Sequence, residues 1–366
     1  MLGPLTLDRA YYHCAACDVG HCPRDRALGL AGTSLSPAVT RMVGTVGALV
    51  SFAEGHALLQ ELAGVDVEAK QVERTAEALG REIAADEQRV VAPDPPAAPT
   101  MYLGMDGTGV PMRSADLAGR AGKQPDGSAK TREVTRVTVW TAEGHNADGT
   151  AVRDPGSVTY SAAIERAATR DTDDVLSPFA QRVDREAQRR GFDQAPRRVV
   201  LGDGAPWIWN LADEQCPGAI QIVDLFHAKQ HLSDVATAID GAGTDLAHQW
   251  ARLRHDDLDA GHLRAVCHAL RAHAATCPDA RRCWDYVRRH RARMRYPTFR
   301  AQGLCVSSGV VEAGCKVAIG TRLKRAGMHW TVAGADAIIA LRCCRLSGRF
   351  EDFWERRSAT ARPEAA

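Results

Sequence analysis

Two apolar runs that each end in Asp-Gly constrain this chain more than any other feature. One is "MYLGMDGTGVPMR", beginning at Met101; the other is "VVLGDGAPWIW", beginning at Val199. Strand-forming residues lead in each case to an acid with a side-chain-free neighbour: Met101–Met105 to Asp106, and Val199–Leu201 to Asp203. Gly107 and Gly109 are expected to form a tight turn into a second short strand. "TREVTRVTVWTAEG" alternates like a further strand, "DTDDVLSPFAQRVDREAQRRG" has the apolar spacing of an amphipathic helix, and "GAIQIVDLFHAKQHL" reads as strand then helix. Strands in succession, then strand–helix alternation, predict an α/β fold: a mixed sheet with helices on its faces.

At 366 residues the chain is expected to hold more than one domain. Residues 1–35 form a cysteine- and histidine-bearing start, and residues 36–90 are helical in pattern. Residues 91–100 are a proline-rich linker and the clearest boundary. Residues 101–231 hold the first part of the sheet, 232–296 a helical insertion, 297–350 the last part of the core, and 351–366 a tail expected to be disordered. No apolar run approaches the roughly 20 residues that cross a bilayer, and "MLGPLTLDRAYYHC" lacks the basic-then-apolar pattern of a secretory signal, so a cytoplasmic location is expected. The 11 cysteines are scattered in largely apolar company, which suits reduced thiols better than a disulfide framework.

Asp106 and Asp203 at strand ends, with Glu312 in the first turns of a helix begun at Ser307 or Ser308, form a candidate set of three acids. A lone Asp-Gly is commonly a turn; two on one sheet, with a third acid downstream, make a magnesium site the sharper reading. Magnesium prefers oxygen ligands, and two ions about 4 Å apart activate an attacking oxygen on one side and stabilise a leaving oxygen on the other. Trp207 and Trp209 are expected to anchor the helix after Asp203 in the core.

These motifs resemble the ISKra-type insertion-sequence transposases, which carry a DDE catalytic core on an RNase H-like fold. The resemblance rests on "LGMDGTGVPMR", "REVTRVTVW", "VVLGDGAPWIWNLADEQCPGAIQIVDLFHAKQHL" and "SSGVVEAGCKVAIGTRLKRAGMHWTVAGADAIIALRC", spanning Met101 to about Arg345. It implies that Asp106, Asp203 and Glu312 bind Mg2+ or Mn2+. Asp224 and His227 match an acid-x-x-His element, so that His227 either supports the reaction near the scissile phosphate or is a capping or core histidine. It implies partners as well: double-stranded DNA at element ends and target, and a second copy of the chain in a homodimer or higher oligomer on DNA, in a bacterial, nucleoid-associated setting. It also implies an N-terminal zinc ribbon whose first CxxC would precede "YYHCAAC"; Cys14 and Cys17 are then half of a zinc site, completed upstream or by His21 and Cys22, or else plain thiols.

The formal net charge is only +1, but basic residues cluster in "RRCWDYVRRHRARMRYPTFR" (residues 281–300) and "KVAIGTRLKR" (residues 316–325). Lys316, Arg322, Lys324 and Arg325 are therefore candidate phosphate contacts, and Trp330 a candidate base-stacking platform. In "ALLQELAGVDVEAKQVERTAEAL", Leu58, Leu59 and Leu62 would face the core, Gly64 turns the chain, and Val67–Leu79 forms a second helix presenting Lys70 and Arg74, with Arg81 just beyond it. That is either a DNA-reading helix-turn-helix or an ordinary helical hairpin. The expected function is DNA transposition: binding of terminal repeats, phosphodiester hydrolysis and strand transfer. A nuclease or resolvase without strand transfer, and a DNA-binding regulator with an inert core, are the alternatives.

Overall fold

The computed structural model describes residues 6–30, 33–89, 98–122, 124, 127–147, 149–172, 174–307 and 314–361, without the side chains of 26 and 359–361. Strands β1 (Tyr12–Cys14) and β2 (Val19–His21) pair as a hairpin, and the short helix α1 (Arg24–Leu28) follows. Next come α2 (Pro37–Leu49), α3 (Phe52–Ala63) and α4 (Ala69–Asp86). Ser51 caps α3 by accepting from the Glu54 amide while Glu54 accepts from the Ser51 amide, which satisfies two otherwise orphaned donors.

A five-stranded mixed sheet forms the centre. Its chain order is β3 (Thr100–Pro111), β4 (Thr131–Thr141), the two-residue ribbon β5 (Gly144–His145) with β6 (Ala151–Val152), β7 (Thr159–Ala163), the ribbon β8 (Arg170–Thr172) with β9 (Val175–Leu176), helix α5 (Pro178–Arg189), β10 (Arg197–Gly202), α6 (Pro206–Gln215) and β11 (Ile220–Val223). In space the sheet runs β11-β10-β3-β4-β7. β4 is antiparallel to both β3 and β7, whereas β10 is parallel to both β3 and β11. The chain thus builds outward from β3 on one side and returns to build on the other. The boundary between β3 and β10 is where the order reverses, and crevices beyond the strand ends at such a reversal are the usual ligand sites of open α/β sheets.

Beyond β11 come α7 (Leu225–Asp240), α8 (Asp245–Asp259), α9 (Leu263–His273), α10 (Pro278–His290) and α11 (Tyr296–Ala301), helices that extend past both bounds of the insertion expected at 232–296. A π-helical turn at Cys315–Gly320 continues into Thr321–Leu323, and α12 (Val332–Leu346) and α13 (Phe350–Ala361) end the described chain.

Burial divides into two cores that share the long strands. One joins β3, β4, β10 and β11 to α5, α6 and the insertion helices, with Tyr102 stacked on Trp140 at 5.4 Å. The other joins the far ends of β3 and β4 to α2, α4, α12 and α13. Residues 36–90, expected as a separate DNA-binding region, therefore share a core with residues of the last segment. α4 lies so close to α12 that a side chain at Gly80 would collide with the Ala337 carbonyl. The described part of the tail, residues 351–361, is helical where disorder was expected. α13 buries Phe353 and Trp354, and Arg356 and Arg357 form ion pairs with Asp86 and Glu82 on α4. The proline-rich residues 90–97 lie outside the described residues.

The helical N-terminal region corrects two further expectations. Leu59 is buried, but Leu58 and Leu62 are 37% and 78% exposed, so only one of the three leucines faces the core. The second helix begins at Ala69 and runs to Asp86, longer than Val67–Leu79, because Val72, Ala76, Leu79 and Ile83 keep a buried stripe at helical spacing. Lys70, Arg74 and Arg81 are exposed on its outer face, with Lys70 paired to Glu73 at 2.6 Å.

Candidate active site

Asp203 stands where the sequence places it, in the residue after β10. Asp106 does not: β3 runs on to Pro111, and Asp106 is opposite Arg136 within the antiparallel β3–β4 ladder. Gly107 and Gly109 are strand residues, not a turn. They lie under β4 side chains, where an added carbon at Gly109 would come within 2.7 Å of Thr131 Oγ1 and one at Gly107 would collide with the Glu133 carboxylate. What ends near Asp106 is the parallel pairing. β10 pairs with β3 from Arg197↔Thr100 to Leu201↔Gly104, and the same register continued two residues brings Asp203 level with Asp106. On the other side β10 pairs with β11 up to Gly202↔Val223, so the next residues in register are Asp203 and Asp224. Continued in this way, the register puts Asp106, Asp203 and Asp224 at one level where the parallel pairing ends, on both sides of the topological reversal. Neighbouring strands lie only about 4.8 Å apart.

Each carboxylate has local partners. Asp106 accepts from the Gly107 amide at 2.7 Å and faces the buried guanidinium of Arg136 at 3.7 Å. Asp203 accepts from the Ala205 amide at 2.8 Å. Asp224 caps α7, accepting from the Phe226 and His227 amides at 2.7 and 3.2 Å. Arg136 is the functional candidate that sequence reading missed. Its signal was a charge in the middle of β4, past Arg132 and Glu133 and between Val134–Thr135 and Val137–Thr141. Its Nε donates to Cys315 Sγ at 3.4 Å, and burial pushes the Cys315 thiol up to about 11.

The helical insertion reaches this level as well. Tyr286 on α10 donates its hydroxyl to the Asp203 carbonyl at 2.7 Å, and its ring occupies the space a side chain at Gly204 would need. Gly204 has a φ of 104°, which favours glycine in its own right. Gly202 is close to Ile208, whose Cγ2 would be 2.8 Å from an added carbon. The two glycines beside Asp203 therefore admit protein side chains rather than open a path to the acid. Tyr286 stands between His231 at 4.6 Å and His290 at 5.0 Å, and His227 meets His231 edge-on at 5.1 Å. Burial raises the Tyr286 phenol well above its ordinary value, with the charges of Asp203 and Asp224 adding to the effect. Burial also lowers the His231 imidazole, as does neighbouring His227, and burial beside Arg293 and Arg289 lowers His290 to about 4. His227 itself is exposed, one turn into α7.

Glu312 and Ser308 lie outside the described residues. The nearest described chain on either side belongs to this neighbourhood: the Val306 carbonyl accepts from the Leu225 amide beside Asp224, and Cys315 touches Arg136. Among the described residues no three His, Cys, Asp or Glu side chains are grouped to hold a metal ion. The oxygen donors suit a hard divalent cation, but Asp106, Asp203 and Asp224 do not converge as a set of three ligands.

Two candidate DNA contacts prove to be core residues. Arg322 is fully buried, donates to the Gly47 carbonyl at 2.9 Å, and lies over the Phe52 and Trp330 rings at 4.7 and 5.2 Å; burial, with Arg342 and Arg325 nearby, lowers it to about 10. Trp330 is 7% exposed and donates its indole N–H to the Leu323 carbonyl at 3.0 Å, so its ring is not free to stack on a base. Trp209 is buried as expected, and Trp207 meets Phe179 edge-on at 5.7 Å. Lys316, Lys324 and Arg325 are exposed; Lys324 contacts the Thr108 hydroxyl and Arg325 forms an ion pair with Glu54. Cys14 and Cys17 are exposed around the β1–β2 turn, where hydrogen bonds from Cys17 lower the Cys14 thiol. Among the described residues no helix is long and apolar enough to cross a membrane.

No model of a known protein family matches the sequence, and no curated protein matches it.

Proposed function

We propose that this chain is a DNA transposase whose RNase H-like core carries out metal-dependent phosphodiester hydrolysis and strand transfer. The observation that carries the reading is the register of the parallel strands, which, continued past their last paired residues, would bring Asp106, Asp203 and Asp224 level across the topological reversal. The mixed five-stranded sheet with helices on its faces is compatible with that core.

Asp106 and Asp203, with Glu312 as the third acid, would hold Mg2+ or Mn2+. Bound there, the ions supply an activated oxygen nucleophile and stabilisation of the leaving oxygen. The chain's own residues do the rest. Arg136 keeps Asp106 fixed and neutralised across the β3–β4 ladder. Tyr286 fixes the backbone at Asp203, and the Asp224 cap orients α7 with His227 at its start. Exposed Lys316, Lys324, Lys70 and Arg74 offer charge to a DNA backbone, a contribution that is independent of sequence and weakens with salt.

The test is a labelled duplex carrying the terminal repeats, incubated with protein and Mn2+. Cleavage followed by joining of the exposed 3′ end to a second duplex is expected, with both lost in Asp203→Ala. Cleavage without joining, even from pre-cut ends, identifies a nuclease; undiminished reaction by Asp203→Ala contradicts the site.

A further inference from the structure

We propose that a cavity of about 370 Å3 between β7 and the carboxyl end of α12 binds a nucleotide, its phosphate held by Arg153 and Arg345. The volume is within the range of small-ligand pockets. Val158, Tyr160, Val317 and Leu346 give the cavity an apolar lining suited to a base or sugar, and no acid lines it among the described residues.

Arg153 is exposed and forms no ion pair among the described residues. The acid next to it, Asp154, is turned away, accepting from the Glu143 and Gly144 amides and the Thr141 hydroxyl. Arg345 stacks over Phe350 at 5.0 Å and gives one N–H to Thr45 Oγ1 at 3.3 Å, so four of its five donors have no role in those contacts. The carboxyl end of α12 contributes about half a negative charge. Two guanidinium groups outweigh it, and a planar fork matches phosphate oxygens better than any other side chain.

Position favours a nucleotide over other amphipathic anions. The Arg136 guanidinium lies 6.0 Å over the Tyr160 ring while pairing with Asp106, and Val317 is two residues beyond Cys315, which Arg136 also contacts. The cavity is therefore linked through Arg136 to Asp106, on the β4–β7 side. That choice of ligand rests on the proposed function; the cavity and its charge do not.

The experiment uses the full chain in EDTA, so that metal chemistry plays no part. Calorimetry measures binding of a deoxynucleoside monophosphate, of inorganic phosphate and of a short 5′-phosphorylated single strand. The monophosphate is expected to bind more tightly than phosphate alone. Arg153→Glu should weaken it by roughly tenfold or more, while Arg264→Glu, a charge reversal at an exposed site on α9, and Asp203→Ala leave it unchanged. Tighter binding of the oligonucleotide, displaced by the monophosphate, identifies a nucleic-acid strand as the source; a monophosphate that the strand does not displace identifies a free nucleotide. Absence of monophosphate binding, equal affinity for phosphate alone, or equal effects of Arg153→Glu and Arg264→Glu would each overturn the proposal. None of those results touches the metal-dependent reaction, which the DNA assay reads separately.

Discussion

Asp203 is held from both directions: its carboxylate by the turn that follows and its carbonyl by Tyr286. The histidine beyond that tyrosine gives the neighbourhood a pH dependence. His290 is buried, and its folded value of about 4 lies below the ordinary 6.5. Between those values the unfolded chain binds a proton that the folded chain refuses. Its contribution to stability is thus complete above about pH 6.5, falls as pH drops toward 4, and changes no further below that. Denaturant titrations at pH 7, 5.5 and 4.5 should show His290→Phe losing less stability over this interval than wild type; parallel losses would remove His290 as the cause. Arg322 and Trp330 show the same point about environment. Arg322 read as a phosphate contact in a basic run and Trp330, beyond that run, as a base-stacking platform, and both are in the core, because sequence gives the type of a residue but not the face it turns. Trp330→Ala should cost about 3–5 kcal/mol of folding free energy, whereas Lys324→Ala, at an exposed position, should change stability by less than about 0.5 kcal/mol. Equal effects would mean that the burial is wrong.

Among the elements, β3 and α10 matter most to the site. The "MDGTGV" run looked like a turn because glycine is the commonest turn residue, yet the glycines are there to pass under Glu133 and Thr131 of β4. A strand partner brought in from more than twenty residues away is invisible to local patterning. Tyr286 was hidden for the same reason: it is one aromatic in a basic helix, and only the tertiary fold brings it to Asp203. By contrast, the ends of β10 and β11 and the helical character of residues 232–296 were legible, since apolar strand runs and 3.6-residue spacing are local signals. Tyr286→Phe removes one hydrogen bond and leaves the ring between His231 and His290. A modest stability loss of about 1 kcal/mol is expected, together with a several-fold rise in the Mn2+ concentration needed for half-saturation. Unchanged Mn2+ dependence would reduce Tyr286 to a packing residue.

Across the whole molecule, two cores meet on the shared strands β3 and β4, so the helices before residue 90 and those after 331 brace one end of the sheet while the insertion braces the other. The domain boundaries read from composition miss this, because a proline-rich stretch marks where the backbone changes character and not which faces later come together. The acids lie where the two halves of the sheet diverge, and Arg136 and Tyr286 connect that level to each side. The central claim is that Asp106 and Asp203 form one metal-binding site with Glu312. Calorimetric titration of the full chain with Mn2+, set beside Asp106→Asn, Asp203→Asn and Glu312→Gln, tests it most directly. The account predicts saturable Mn2+ uptake by wild type that each substitution abolishes or greatly weakens without loss of fold by circular dichroism; uptake that is absent in wild type, or undiminished in the Asp106 and Asp203 variants, would contradict it.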